Sequence, residues 1–190
     1  MLSKPRPVYY LNIGKAYLSL GKPDLSLENL EKAVELRKTD KDDVWKLEYY
    51  YESLAEAYYR LGCIEEFTVK FEKSGDLNNE PAEKALVYNR IGILFYNDKK
   101  GEEAVKYYNE AIRYDGSRPI FHNNSGLAYA LDKRWDEAIV CYETAVELRR
   151  KYPADSRGLD YYYDFLSEAY YNLGRTDEFI SKFEISGDLE

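Results

Sequence analysis

One histidine and two cysteines in 190 residues leave little of the equipment from which catalytic and metal centres are built. With His122 alone, most metal sites and every histidine-based triad that needs a second imidazole are excluded. Cys63 and Cys141 lack C-x-x-C spacing and are too few for a disulfide framework. They imply ordinary thiols in a reducing, cytoplasmic setting. Glycines stand singly, with no G-x-x-x-x-G-K or G-x-G-x-x-G to cradle a phosphate. No stretch approaches the roughly 20 apolar residues of a membrane span, and residues 1–5 do not read as the start of a signal peptide. Positive charge is also short, Lys+Arg 27 against Asp+Glu 35, a net charge of -8. Nucleic acid and anionic membrane are therefore disfavoured as partners. No enzyme, cofactor or metal is expected. The excess is in tyrosine, 21 of them.

The chain repeats itself. Residues 47–77 align with 159–189 at an offset of 112, with 20 of 31 positions identical. The same offset lays residues 8–37 on 120–149, retaining Gly14/Gly126 and Tyr17/Tyr129. Inside this long period is a shorter one, a small residue followed three positions later by an aromatic: Gly14…Tyr17, Ala55…Tyr58, Gly92…Phe95, Gly126…Tyr129 and Ser167…Tyr170. Twelve residues after each small residue comes Ser26, Phe67, Ala104, Ala138 or Phe179. Apolar positions within each unit recur at helical spacing rather than by alternation. Breaks fall near Gly21, Gly62, Gly101, Asp132 and Gly174. Acidic residues follow most breaks, where negative charge suits a helix N-terminus. Five hairpins of two helices, about residues 7–40, 48–78, 85–117, 119–152 and 160–189, are the expectation, read as one domain.

This pattern resembles the tetratricopeptide repeat, a helix-turn-helix unit of about 34 residues. Residues 100–148, with Gly101-Glu102-Glu103-Ala104 and Trp135-Asp136-Glu137-Ala138, are the nearest to it. The resemblance implies an all-α, right-handed superhelical solenoid whose first helices line a concave groove. Two departures matter. Spacings of 41 predict extra helical turns or a longer loop near residues 38–43 and 151–157. Phe67 and Phe179 replace a small residue, so those two hairpins should splay.

The groove predicts the function: a non-catalytic adaptor that holds a partner peptide or helix. On the first helices, Tyr49, Glu52, Glu56 and Tyr59 share one face by spacing, and Tyr161, Asp164, Glu168 and Tyr171 repeat it. Asn89, Arg90, Tyr96, Asn97, Asn123, Asn124 and Leu127 follow from the third and fourth units. Two acidic, tyrosine-walled patches about an amide-rich centre favour an extended segment carrying Lys or Arg at two places. The lysine- and asparagine-based clamp with which some family members hold acidic chaperone tails has no full counterpart here.

The fifth unit is followed by no capping helix, and repeat arrays usually need one. Phe179, Ile180 and Phe183 are therefore expected to be bare. Either the chain is a piece of a longer array, or this face docks head-to-tail on another copy as a self-assembly module; a regulatory fragment of a larger multidomain protein is the remaining alternative.

Overall fold

The structure, a computed structural model, describes residues 6–40, 43–152 and 157–184. Among these it is all-α, without a strand. The helices are α1 (Pro7–Ser19), α2 (Pro23–Thr39), α3 (Leu47–Arg60), α4 (Ile64–Ser74), α5 (Pro81–Asn97), α6 (Gly101–Tyr114), α7 (Pro119–Leu131), α8 (Trp135–Lys151), α9 (Leu159–Asn172) and α10 (Thr176–Glu184). They form two compact units, residues 1–94 and 95–190, with α5 running into both. The final turn expected at 186–189 lies outside the described residues.

Helix starts follow local chemistry. Pro7, Pro23 and Pro119 occupy the first turns of α1, α2 and α7, where a missing N–H costs nothing. Acidic side chains fill the first turn of α4, α6, α8 and α10 (Glu65, Glu102, Asp136 and Asp177 among them), facing the positive end of each helix. Gly62 and Gly174, at φ of 74° and 69°, close the α3–α4 and α9–α10 turns in a conformation that costs other residues energy. The long units obtain their length in two ways. α2 and α8 run to 17 residues, against 14 for α6. After α2 comes a loop before α3 begins at Leu47, and after α8 another before α9 begins at Leu159.

Packing separates two kinds of hairpin. α1 lies tightly on α2 and α7 on α8, while α3 and α10's partner α9 stand well off α4 and α10. Phe67 and Phe179 are the cause, because a phenyl ring cannot be accommodated at the separation that Ser26 or Ala138 allows. The opened space is filled with rings. Phe67 stacks on Phe71 at 5.6 Å, and Tyr51 and Tyr58 tilt against them at 4.7 and 5.6 Å. Such pairs are worth about 0.5–1.5 kcal/mol each beyond their area. The tyrosine excess is thereby explained: Tyr50, Tyr58, Tyr108, Tyr142, Tyr162 and Tyr170 are nearly fully buried. Three of them keep the hydroxyl satisfied on an acid, Tyr50 on Asp43, Tyr58 on Glu31 and Tyr170 on Glu143.

Candidate functional site

α1, α3 and α5 of the first unit enclose a pocket of about 340 Å³, lined by Lys15, Tyr49, Glu52, Glu56, Arg60 and Arg90 among others. Tyr49, Glu52 and Glu56 are thus brought together, as their spacing on one helix face requires. Tyr59 is half-buried and does not line the pocket. The patch is not simply acidic. Glu56 accepts from Arg90 at 2.6 Å and from Arg60 at 3.2 Å. Lys15 donates to the Tyr49 hydroxyl at 2.7 Å and lies 4.7 Å over its ring. Helical spacing revealed the glutamates but not Arg60, one turn on, or the reach of Arg90 to Glu56 across 34 residues of chain.

Glu52 is the exception within this network. Among the described residues no hydrogen bond or ion pair engages its carboxylate. Burial pushes its pKa up to about 7, although the charge of Arg90 works in the other direction.

In the second unit, α9 carries Tyr161, Asp164, Glu168 and Tyr171. Tyr161 is half-buried, its ring 5.2 Å from Phe165. Asp164 and Glu168 are exposed, and Tyr171 is 74% exposed. Tyr96, at the end of α5, lies close enough to Glu168 and Tyr161 for burial, then their charges, to raise its phenol pKa. Asn97 beside it is exposed, and Asn89 and Asn124 are half-buried. Leu127 packs against the core of this unit.

The amide-rich centre does not form as expected, because Asn123 is 0% exposed. It stands at the register of Glu52 and Asp164 in their own units, three before the small residue, but is enclosed there and cannot be offered to a ligand. His122 rests its Nε2 3.0 Å from the Gly116 carbonyl, bridging the turn before α7.

The terminal face is also less bare than expected. Phe179 and Phe183 are 8% and 5% exposed. Tyr163 and Tyr170 of α9 fold edge-on or tilted over them at 5.3–6.3 Å, so the splayed hairpin closes on its own rings. Of the three residues, only Ile180 is exposed, at 41%.

The structure adds a feature that helical spacing on the first helices did not reveal. On the second-helix side of the first unit, α2, α3 and α4 leave a slot of about 300 Å³. Its floor is Val34, Leu54, Phe67 and Phe71, and its rim Glu31, Glu35, Lys38 and Lys70. A smaller slot of about 120 Å³ in the second unit is lined by Glu143, Val146, Glu147, Arg150, Lys182 and Phe183. These six are the counterparts, at the 112-residue offset, of Glu31, Val34, Glu35, Lys38, Lys70 and Phe71. The signal that could have found it is retention between the two halves of the chain at exposed second-helix positions.

Comparison with known proteins agrees with this architecture. Family models described as tetratricopeptide repeat match residues 7–40 and residues 89–156. No curated protein matches the chain. Among solved structures, a MamA fragment from Desulfovibrio magneticus RS-1 is similar at 18% identity and a TM-score of 0.52, covering 97% of this chain and 98% of its own. A second MamA structure gives 17% and 0.55, over 94% and 88% of the two chains. BtubC from P. vanneervenii gives 20% and 0.54, over 90% and 84%. At these identities the likeness is one of fold. Among the described residues no helix is long and apolar enough to cross a membrane.

Proposed function

The chain belongs to the tetratricopeptide repeat family, and from that premise we propose that it is a non-catalytic interaction scaffold whose units each hold a cationic side chain of a partner segment on their first-helix face. The observation that carries this reading is the isolation of Glu52. Its neighbours Lys15, Arg60 and Arg90 are already occupied by Tyr49 or Glu56, so the pocket's unmet need is for a positive charge beside this one carboxylate. A lysine or arginine entering there meets a desolvated anion and the ring of Tyr49, both of which favour a cation. In the second unit, exposed Asp164 and Glu168 with the rings of Tyr161 and Tyr96 offer a shallower version of the same chemistry. Head-to-tail self-assembly draws little support from a terminal face whose phenylalanines are already covered.

The test is calorimetric titration of the whole chain with an uncharged-backbone peptide bearing two lysines, beside the same peptide with both lysines acetylated. Wild type should bind the first peptide more tightly by about tenfold or more. Glu52→Gln should lose most of that preference, and Asp164→Asn/Glu168→Gln part of it. Equal affinity for the two peptides would overturn the cation reading while leaving the family assignment intact. A lysate capture with the same variants would then look for the natural partner.

A further inference from the structure

We propose that the outward stripe of α1 is a docking site for an acidic amphipathic helix of a partner protein, seated as α2 is seated on α3 and α8 on α9.

Four residues recur on these first helices at fixed distances from the small residue of each unit: five before, one before, two after and six after. On α3 they are Tyr50, Leu54, Ala57 and Leu61, and on α9 Tyr162, Leu166, Ala169 and Leu173. Steps of four, three and four put them on one stripe along the helix. α3 rests chiefly on α2, and α9 on α8. There the first three positions of the stripe are at most 6% exposed. α1 carries the same stripe as Tyr9, Ile13, Ala16 and Leu20, but here it is open. Tyr9, Ile13 and Leu20 are 52%, 44% and 67% exposed, and Ala16 is exposed with them. A terminal helix that seats nothing is expected to be polar on this side. The groove pocket uses a different face of α1, that of Lys15, Leu18 and Ser19.

Two polar features identify the occupant. Tyr58 of α3 donates its hydroxyl proton to Glu31 of α2 at 2.8 Å, and Tyr170 of α9 donates to Glu143 of α8 at 2.7 Å. Tyr17 holds the same position on α1, three after the small residue, and is half-buried. Among the described residues no hydrogen bond engages its hydroxyl. A helix laid on the stripe thus meets a phenol placed to donate to a glutamate. Charge points the same way. Pro7–Ser19 contains no acidic residue. Arg6 lies one turn before Tyr9 and Tyr10, and the Lys32 ammonium sits 4.3 Å over the Tyr10 ring. Neither cation has an acidic partner among the described residues. An acidic helix complements this edge, whereas two copies meeting α1 to α1 would set like charges against each other. From Tyr9 to Leu20 the stripe runs about 16 Å, enough for three turns of a partner helix.

The experiment is an amide-resonance titration of the isotopically labelled whole chain with an acidic helical peptide. The probe has the sequence of residues 23–36, which includes Glu31, with a hydrocarbon staple between positions 25 and 29. Shifts should cluster on Tyr9, Ile13, Ala16, Tyr17 and Leu20 and be nearly absent from Tyr50 to Leu61. Ile13→Asp/Leu20→Asp, at exposed positions, should weaken binding about tenfold or more, with circular dichroism to verify folding. Wild type should bind this peptide more tightly than its Glu31→Gln form, and Tyr17→Phe should erase that preference. Glu52→Gln should leave the titration unchanged, which keeps the result independent of the cation site. Absence of binding, shifts centred on α3 or on the groove pocket, a Tyr17→Phe variant that keeps the preference, or full affinity in Ile13→Asp/Leu20→Asp would each overturn the proposal. So would light scattering in which the chain alone forms dimers that Ile13→Asp/Leu20→Asp separates, because a second copy would then be the occupant.

Discussion

Arg37 donates its Nε proton to the carbonyl oxygen of Trp45 at 2.6 Å, and a second guanidinium nitrogen to the Asp40 carbonyl at 3.1 Å. Arg149 repeats the first of these bonds on Arg157 at 2.7 Å. A charged side chain reaching eight residues ahead clamps the long α2–α3 loop at its far end, and the duplication has kept the device even though the loop sequences differ. Arg37→Ala is expected to cost about 1–2 kcal/mol, the range for a charge-assisted bond on a half-buried group. Urea unfolding is the check. A loss below about 0.5 kcal/mol would show that the loop closes without its clamp.

The tight hairpins give a second expectation. A Cβ on Gly14 would lie 2.5 Å from Leu30 Cγ, and one on Gly126 2.5 Å from Tyr142 Cε1. Both neighbours are core residues, 0% and 2% exposed, with nowhere to retreat. Gly14→Ala and Gly126→Ala should each destabilise by about 1–3 kcal/mol through overpacking, outweighing alanine's better helix propensity. Thermal melts of the two variants decide it; an unchanged or raised midpoint would contradict the packing described.

How much of this was legible beforehand differs by level. Hairpin number, the breaks at Gly62 and Gly174 and the splay at Phe67 and Phe179 follow from local patterns, because a small residue or a ring at a helix contact sets the spacing directly. The site was only half legible. Spacing on α3 put Glu52 and Glu56 on one face, but the pairing of Glu56 with Arg90 depends on how α5 approaches α3, which no single-helix pattern contains. Asn123 occupies the same first-helix register as Glu52 and Asp164, three before the small residue of its unit, yet it is 0% exposed; how neighbouring helices close over that register differs between units, and no single-helix pattern contains it. The bare terminal face failed similarly: Phe179 and Phe183 find their cover on α9, within their own hairpin, and not on a missing neighbour.

Removing the ring that wedges the first splayed hairpin should show what it supports. Phe67 is 1% exposed and touches Tyr51, Tyr58 and Phe71. Phe67→Ala should cost about 3–5 kcal/mol, the usual loss for a buried phenylalanine. Phe67→Leu, which retains most of the volume, should cost much less. If the alanine variant proved as stable as wild type, α4 would be closing onto α3 to refill the space, and the slot above them would be lost with it.

The last prediction concerns acidity at Glu52. Its pKa is about 7 in the folded chain, against an ordinary carboxylate value of 4.5. Between these values the folded state holds a proton that the unfolded state releases. Linkage then requires stability to fall as pH rises through this window and to level off above about 7. Glu52→Gln removes the ionisation, so the variant should match wild type at pH 4 and exceed it at pH 8 by about 1–2 kcal/mol, a figure reduced for the group's partial contact with water. Denaturant unfolding across that range measures the difference directly. A bound lysine should reverse the sign: it stabilises the carboxylate, lowers its pKa, and so binds more tightly as pH rises through 7. Opposite slopes for stability and for cation affinity, both abolished in Glu52→Gln, would tie the two effects to this one side chain. Parallel slopes would place the titrating group elsewhere.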